Sequence, residues 1–554
     1  MLLWLKHYRR ELLAGDIGAG IIVAMMLIPQ GMAYAMVAGL PPVTGLYASI
    51  LPAVAYAVFG SSMVQSVGPM AITSLMIGTS LAPLAPPGSA LSVVLAGQMA
   101  LLAGVMLFLS GVFRLGFVAS FLSRPVMSGF TTGAALLITR GQIEPLLGGP
   151  VTAIHPPSAI IGLASLLGLW LAKHYLVRGL NALGLSGRAA ETLSRLAPVV
   201  VLVVATVAVA LLGLAQAGVK VVGEIPSGIP AITLAASAEH WQPLLLPALL
   251  IAFMIFLSSQ AAAQSLAHRR GERIVTNQEL LGLGAANLAS AVSGGFAVTG
   301  SISRSAVNYS AGANTPLASL ISAGLIVLAL SVPTAWISWL PLPALAATII
   351  LAVIGMIDFT TLKDAWRYDR SDAGALLATA AGVLVLGVEE GVILGVVLSL
   401  ATFIWRSSRP HIAVIGRIPG SEHFRNVQRH QVETLPGVLM LRIDADLFFG
   451  NVDAVVNHLD HLLKARSADG LPTRHVLLVM SAVSLIDTTG LYALNEINHS
   501  LQDEQIKLHL AEVKGPVMDR LQHSALIRGK LSGQVFLSTV DAFRCLSEED
   551  RHTR

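Results

Sequence analysis

Long apolar segments with almost no charge fill the chain from about Gly15 to Trp405. A helix needs about 20 consecutive apolar residues to cross a bilayer. The whole chain is 54% hydrophobic and only 12% charged, whereas soluble chains carry about 25% charged residues. Charged residues return to the soluble-protein frequency from Arg406 onward. This distribution predicts a polytopic membrane domain followed by a small soluble domain.

We predict an amphipathic segment lying on the membrane surface over residues 1–14, a membrane domain over 15–406 and a soluble domain over 410–554. The first residues do not read as a signal peptide, because their basic residues follow the short apolar run. Fourteen spans are predicted, near 15–37, 41–60, 68–81, 92–112, 126–146, 156–174, 197–216, 245–265, 280–293, 300–311, 315–337, 343–357, 373–388 and 389–406. Four of these, at 68–81, 280–293, 300–311 and 343–357, are too short for ordinary crossing helices.

The charges of the loops give the orientation. Loops after even-numbered spans are basic, with Arg114, Lys173, Arg178 and Lys363 among them. On the opposite side 82–91 and 331–342 contain no Lys or Arg, and Arg140 and Lys220 are the exceptions elsewhere. Cytoplasmic loops of membrane proteins are enriched in Lys and Arg. We therefore expect both termini and the soluble domain on the cytoplasmic side of a bacterial-type inner membrane. These loops also explain the net charge of +4. We expect lipid rather than nucleic acid as the partner, because no aromatic-laced basic patch occurs.

Two segments combine Gly- and Ser-rich extended stretches with short helices, at 61–80 and at 294–314. They are the third span of each set of seven, and broken spans in corresponding halves point to a transporter binding site. A helix that starts inside the membrane presents unpaired N–H groups and a partial positive charge. Two such ends facing each other would form an anion site built from backbone. Gly68 and Gly300 allow close approach, and Ser301, Ser303 and Ser305 offer hydroxyls.

Arg304 lies in the second of these segments. An intramembrane arginine is costly and suggests function, and a guanidinium suits the oxygens of carboxylate, sulfate or bicarbonate. The alternative is an arginine bound to helix-end carbonyls or to an acid elsewhere. No acid is obvious in the neighbouring spans.

Five motifs occur in order over nearly the whole chain: PQGMAYAMVAGLPPVTGLYASILP (29–52), FLSRPVMSGFTTGAA (121–135), NQELLGLGAANLAS (277–290), TGSISRSAVNYSAGANTPLA (299–318) and GVEEGVILGVVLSL (387–400). They resemble those of the SulP anion transporters, the sulfate permease family, which carry a C-terminal STAS domain. The resemblance implies fourteen spans as 7+7 inverted repeats, with a core domain that moves against a gate domain like an elevator. It also implies an anion held between spans 1, 3, 8 and 10.

The resemblance assigns site residues motif by motif: Gln30 and Tyr34 in span 1, Met70 with the backbone of Gly68, Pro69 and Ala71 in span 3, Ser258 in span 8, and Ser303 and Arg304 with the backbone of Ser301 and Ile302 in span 10. Other interpretations stay open for three of them. Gln30 is also suited to brace the helix break after Pro29, and Tyr34 and Met70 are also suited to plain packing.

Span 8 departs from the family pattern. Many members carry F-L-E-S here, with an acid implicated in proton or sodium coupling, whereas this chain reads FLSSQAAAQ over 256–264. Ser258 therefore stands at the acidic position and Ala262 one turn later. This favours uniport or anion exchange over sodium symport. The alternative is a proton carried by Glu144, Glu389 or Glu390, although the last two also suit the start of the final helix.

The soluble region alternates strands and helices, as a STAS domain does: strands at 411–418, 438–443, 475–480, 506–513 and 535–539, and helices at 451–465, from about 489, near 516–523 and at the end. Asp487, Thr488 and Thr489 are interpreted as a helix N-cap rather than a phosphorylation site. Cys545 is the single cysteine, so no intramolecular disulfide forms. We expect neither cofactor nor metal, and this domain is expected to support dimerisation or regulation rather than catalysis.

The composite prediction is a secondary transporter that moves small anions by alternating access, acting as a homodimer, with a regulatory partner possible at the STAS domain. Sulfate, bicarbonate, chloride and dicarboxylates all suit a small positive pocket. Two alternatives are an anion channel and a STAS-regulated membrane protein that transports nothing. An enzyme is not expected, because no catalytic constellation occurs in the sequence.

Overall fold

The computed structural model describes residues 3–6, 8–117, 123–184, 187–194, 196–223, 226, 228, 232, 240–332 and 338–552. Residues 121–122 of the second motif, 333–337 of the predicted eleventh span and positions 1, 2 and 7 of the N-terminal segment lie outside the described residues. The chain divides into two compact units, Met1–Ser399 and Leu400–Arg554.

The first unit is helical, and a helix overlaps each of the fourteen predicted spans. In order, spans 1–14 are Leu13–Val37, Pro42–Tyr47 with Leu51–Phe59, Ala71–Leu81, Ala90–Val112, Arg124–Gly141, Pro156–Leu171, Ala197–Leu211, Trp241–Arg270, Thr276–Val292, Ile302–Ser310, Leu317–Ser331, Leu342–Ile354, Arg370–Val385 and Val388–Ser407. Within the described residues, seven helical stretches are long and apolar enough to cross a membrane, and three apolar helices are shorter. The four spans predicted to be short contain helices of 11, 17, 9 and 13 residues, in chain order.

Several elements differ from the prediction, and the helices Val177–Ala182 and Gly187–Ser194 between spans 6 and 7 were not predicted. Span 8 is a helix of 30 residues, Trp241–Arg270, which is longer than the predicted 245–265 at both ends. Pro247 lies inside its N-terminal part, and the helix ends before Gly271, which has the left-handed φ of 67°. Span 9 begins at Thr276 rather than at 280. The helix Phe359–Tyr368 follows span 12 unpredicted, capped by Asp358, whose Oδ1 accepts hydrogen bonds from Thr360 N and Thr361 N at 3.0 Å.

Small residues allow the spans to pack closely. A Cβ placed on Gly45 in span 2 would lie 1.9 Å from the carbonyl oxygen of Gly31 in span 1. Only glycine fits there, as at many helix interfaces in membranes. The N-terminal helix Leu3–Lys6 joins the same group of helices, since Trp4 Nε1 donates to Ala57 O at 3.0 Å.

Two short strands lie inside the helical unit: β1 (Val67–Gly68) and β2 (Thr299–Gly300) pair antiparallel. β1 leads into span 3, which we call the first half-helix (Ala71–Leu81). β2 leads into span 10, the second half-helix (Ile302–Ser310).

The second unit is an α/β domain. Its strands are β3 (Ile412–Arg417), β4 (Phe424–Asn426), β5 (Val438–Ile443), β6 (His475–Val479), β7 (Lys507–Ala511) and β8 (Val535–Phe536), in the sheet order β4-β3-β5-β6-β7-β8. Pairs from β5 to β8 are parallel and the pairs of β3 are antiparallel. The helices are Val452–Ala468, Thr488–Asp503, Gly515–Leu521 and Thr539–His552. Every residue of β6 is buried, as in a central strand covered on both faces. The three-residue strand β4 is the one element of this sheet that the sequence pattern did not predict.

Candidate anion-binding site

The two half-helices begin at a common point. Val67 lies opposite Gly300 and Gly68 opposite Thr299 in the β1–β2 pair. Two further hydrogen bonds extend the contact, from Ser301 N to Ser66 O at 3.1 Å and from Ser66 N to Ser305 Oγ at 2.9 Å. Because each half-helix starts within three residues of this pair, the tertiary structure brings their N-termini together from segments more than 200 residues apart in the chain.

The two N-termini differ in how they are capped. Ser301 caps the second half-helix, with its Oγ accepting from Arg304 N at 3.4 Å. At the first half-helix the N-cap is Met70, and no side chain caps it. The first N–H groups of an α-helix have no partner inside the helix. At the first half-helix these N–H groups can therefore donate hydrogen bonds to a ligand, and their partial positive charge favours an anion.

Arg304 lies beside this junction. Its side chain is 1% exposed, and its Nε and Nη2 have no hydrogen-bond partner within the described part of the chain. Its Nη2 approaches Gly68 so closely that a Cβ there would lie 3.3 Å from it. No carboxylate among the described residues pairs with Arg304, and neither of these two nitrogens reaches a helix-end carbonyl. A buried unpaired guanidinium costs several kcal/mol, which an anion would offset.

A cavity of about 230 Å³ brings Gln30 and Ser303 together. Thr348 adds a third neutral polar group, and apolar side chains such as Met26 and Leu351 supply much of the remaining wall. Gln30 follows Pro29, which lies inside the span 1 helix. Such a size suits a small anion rather than a large organic one.

The other assigned residues, Arg304 among them, do not line this cavity. Tyr34, Pro69, Met70 and Ala71 are buried, and Tyr34 lies within electrostatic range of Arg304. Ile302, by contrast, is 50% exposed at the first turn of the second half-helix.

Ser258 is buried in span 8, but no hydrogen bond or ion pair joins it to Arg304 among the described residues. Its neighbour Ser259 bonds instead to the segment before β1, with its Oγ accepting a hydrogen bond from Gln65 Nε2. Span 8 also contacts β2, where Thr299 Oγ1 donates to Ile255 O at 2.9 Å. The serine that braces the β1–β2 pair is therefore the one next to the family's acidic position.

Two buried carboxylates of the membrane unit escaped the sequence analysis, and both are fully buried. Glu279 Oε1 accepts hydrogen bonds from Ser61 N at 2.8 Å and Ser62 N at 3.1 Å. Asp16 Oδ1 accepts from Asn314 N at 2.7 Å and from the next backbone N–H at 3.1 Å. Both acids fall at predicted span ends, where a carboxylate is expected to face water. Both are bonded to backbone away from Arg304.

The acids considered as alternative proton carriers lie elsewhere. Glu389 is half-buried and accepts a hydrogen bond from Ser80 Oγ, near the C-terminal end of the first half-helix. Glu390 and Glu144 are exposed.

The model of the sulfate permease family matches residues 13–379, and the model of the STAS domain matches residues 429–542. The chain belongs to the sulfate permease family. Sulfate permeases are transporters rather than enzymes, and the chain is accordingly a multi-pass membrane transporter of anions.

Its relatives cover nearly the full chain. It is 33% identical over 581 residues to sulfate transporter 4.1, chloroplastic, of Arabidopsis thaliana, covering 99% of this chain and 83% of the relative. It is 34% identical over 563 residues to a probable sulfate transporter of Mycobacterium tuberculosis, covering 97% of each.

Solved structures show the fold. Murine solute carrier 26 family member A9 in the inward-facing state superposes with a TM-score of 0.88 at 22% identity, covering 99% of this chain and 93% of that one. The transmembrane domain of the cyanobacterial bicarbonate transporter BicA gives a TM-score of 0.59 at 20% identity, covering 71% and 98%. The predicted fold of seven plus seven inverted spans and a STAS domain is confirmed.

In the STAS domain the turn at Asp487 is a helix cap, as predicted: Oδ1 accepts from Gly490 N at 2.7 Å. That hydrogen bond, with a second from Phe449 N, lowers the pKa of Asp487. Elsewhere in the domain, His509 and His475 form a buried pair, Nε2 to Nδ1, at 3.1 Å. Burial, then His475 and Lys507, lower the pKa of His509 to about 4. His509 is therefore neutral at physiological pH.

Proposed function

We propose that this protein is a secondary transporter that moves small anions across the inner membrane by alternating access. The anion binds between the N-termini of the two half-helices and Arg304. One observation carries the proposal: a fully buried arginine leaves Nε and Nη2 unpaired beside Gly68, at the start of an uncapped half-helix.

Binding follows from electrostatics. The guanidinium and the N-terminal N–H groups supply positive potential where little water screens it. Gln30 and Ser303 line the adjoining cavity and offer neutral donors, which can contact an anion in several orientations. Backbone and hydroxyl donors suit sulfate, bicarbonate, chloride and dicarboxylates alike. The names of the relatives make sulfate the first anion to test.

Transport requires that the site face each side in turn. We propose that the core domain carries both half-helices past the gate domain like an elevator. Span 8 has Ser258 at the position where many family members are expected to have a carboxylate. We therefore propose anion exchange or uniport rather than sodium symport. We also propose a homodimer with cytoplasmic termini, and domain limits of 15–406 and 410–554.

The test is counterflow of radiolabelled sulfate in proteoliposomes, repeated with bicarbonate, chloride and fumarate. Arg304→Ala should reduce the uptake rate at least about 10-fold, since hydrogen bonds to charged groups contribute 1.5–3 kcal/mol. Arg140→Ala, which removes an exposed arginine, is the matched control and should transport normally.

Size-exclusion profiles and melting temperatures establish whether each variant is folded. Normal uptake by folded Arg304→Ala would contradict the proposed site. Single-channel currents without counterflow would indicate an anion channel, and neither activity with any of the four anions would indicate a membrane protein that transports none of them.

A further inference from the structure

A second cavity adjoins the one that contains Gln30 and Ser303. It has a volume of about 290 Å³, and Val307 and Ser194 contribute to its wall. The two cavities share five lining residues: Met26, Leu169, Lys173, Pro198 and Leu351. The two cavities therefore adjoin, and together, as what we call the passage, their walls extend from Ser303 along the second half-helix to Val307, one helical turn further on.

Among the described residues, Lys173 is the only charged side chain in the walls of these two cavities. The other lining residues are apolar or neutral. It is exposed, and within the described residues no hydrogen bond or ion pair engages it. A single ammonium group beside a mostly apolar passage is poorly screened by protein groups, so its field extends into the passage.

Local structure explains where Lys173 stands. Span 6 continues from Leu171 into a π-helical turn, Ala172–Leu176, and such turns shift the register of side chains and are frequent at functional sites. His174 Nδ1 hydrogen-bonds to Trp170 O at 2.9 Å, and the two rings lie 4.7 Å apart. Trp170 and Tyr175 are exposed, as in the aromatic belts at membrane surfaces. Lys173 thus stands at the level of the headgroups.

We propose that Lys173 forms an outer anion subsite at the cytoplasmic mouth of this passage. It attracts small anions, divalent oxyanions most strongly, and raises their concentration ahead of the site at Arg304. This inference rests on the proposed function, because it assumes that Arg304 is the inner site. Lys173 increases the rate at which anions reach the passage. It does not change the rate at which the core domain moves once an anion is bound at Arg304.

The measurement is the initial rate of sulfate counterflow from the face that carries the STAS domain, at about 0.01 M and about 0.3 M ionic strength, where the Debye lengths are about 30 Å and below 8 Å. Lys173→Gln should raise KM about three-fold or more at low salt, with the maximal rate nearly unchanged, and the difference should shrink at high salt. Lys173→Arg should restore the wild-type KM.

Arg178→Gln is the matched control, since it removes an exposed cation five residues away that does not line either cavity. It reports the effect of surface charge alone. Equal KM values for Lys173→Gln and Arg178→Gln at low salt would overturn the outer subsite. A lower maximal rate with an unchanged KM for Lys173→Gln would also overturn the outer subsite. Absence of wild-type counterflow would contradict the proposed function instead, so the two failures are distinguishable.

Discussion

At the scale of residues, the site depends on a charge and on the absence of a side chain. Arg304 is buried and pairs with no acid among the described residues, and its guanidinium lies close to Gly68, where a Cβ would be 3.3 Å from Nη2. The sequence predicted the arginine and the glycine separately, from the rarity of intramembrane charge and from chain flexibility. Their contact is a property of the folded chain.

Gly68→Ala should weaken anion binding while leaving the protein folded. The new methyl would lie 3.3 Å from Arg304 Nη2 and 3.4 Å from Leu27 Cδ1, so the guanidinium must shift by a few tenths of an ångström. We expect KM for the transported anion to rise about 3- to 10-fold, which corresponds to about 1 kcal/mol. Gly324→Ala, with nothing within 4 Å of its new Cβ, should leave KM unchanged. An unaltered KM in folded Gly68→Ala would contradict the contact.

At the scale of elements, buried carboxylates join the two inverted repeats. Glu279 in span 9 binds the backbone that precedes β1 and the first half-helix, and Asp16 in span 1 binds the backbone that precedes span 11. Backbone N–H groups inside a membrane need acceptors. These carboxylates supply the acceptors where the chain between helices is irregular.

Removing such an acceptor should destabilise the fold. Glu279→Ala leaves Ser61 N and Ser62 N without their acceptor, along with the Tyr56 and Ser61 hydroxyls that also bond to this carboxylate. We expect a loss of about 2–5 kcal/mol in the free energy of unfolding, seen as a lower melting temperature in detergent. Glu144→Ala, at an exposed position, should change stability by no more than about 0.5 kcal/mol. Equal melting temperatures for the two variants would show that the Glu279 bonds are dispensable.

The spans themselves were predictable, because apolar length and helix breakers are local properties. The misses have a common cause. The strand β4 and the helix Phe359–Tyr368 are short, and the start of span 9 is polar. Each of these is stabilised by its neighbours rather than by a run of apolar residues.

At the scale of the whole molecule, the chain joins an anion transport unit to a STAS domain. Ser258 gives span 8 a hydroxyl at the position where the family resemblance leads one to expect a carboxylate. Hard cations bind through oxygen ligands, and a neutral hydroxyl is a weaker ligand than a carboxylate.

Uptake should therefore not depend on a sodium gradient. We expect equal initial rates of sulfate uptake into proteoliposomes with an inward sodium gradient and with an inward potassium gradient. An ionophore that collapses the sodium gradient should also have no effect. Stimulation by sodium that the ionophore abolishes would contradict the coupling inferred from Ser258.

The sequence by itself determined the membrane class, the fourteen spans, the two half-helices and the α/β domain, because hydrophobic length, glycine-rich breaks and strand alternation are encoded locally. It also marked Arg304, since charge inside an apolar segment is rare. Only the tertiary structure decided that Gly68 faces Arg304, that Gln30 shares a cavity with Ser303, and that Asp16 and Glu279 are bonded across 298 and 218 residues of chain. Such contacts depend on how distant helices pack, which no local pattern encodes.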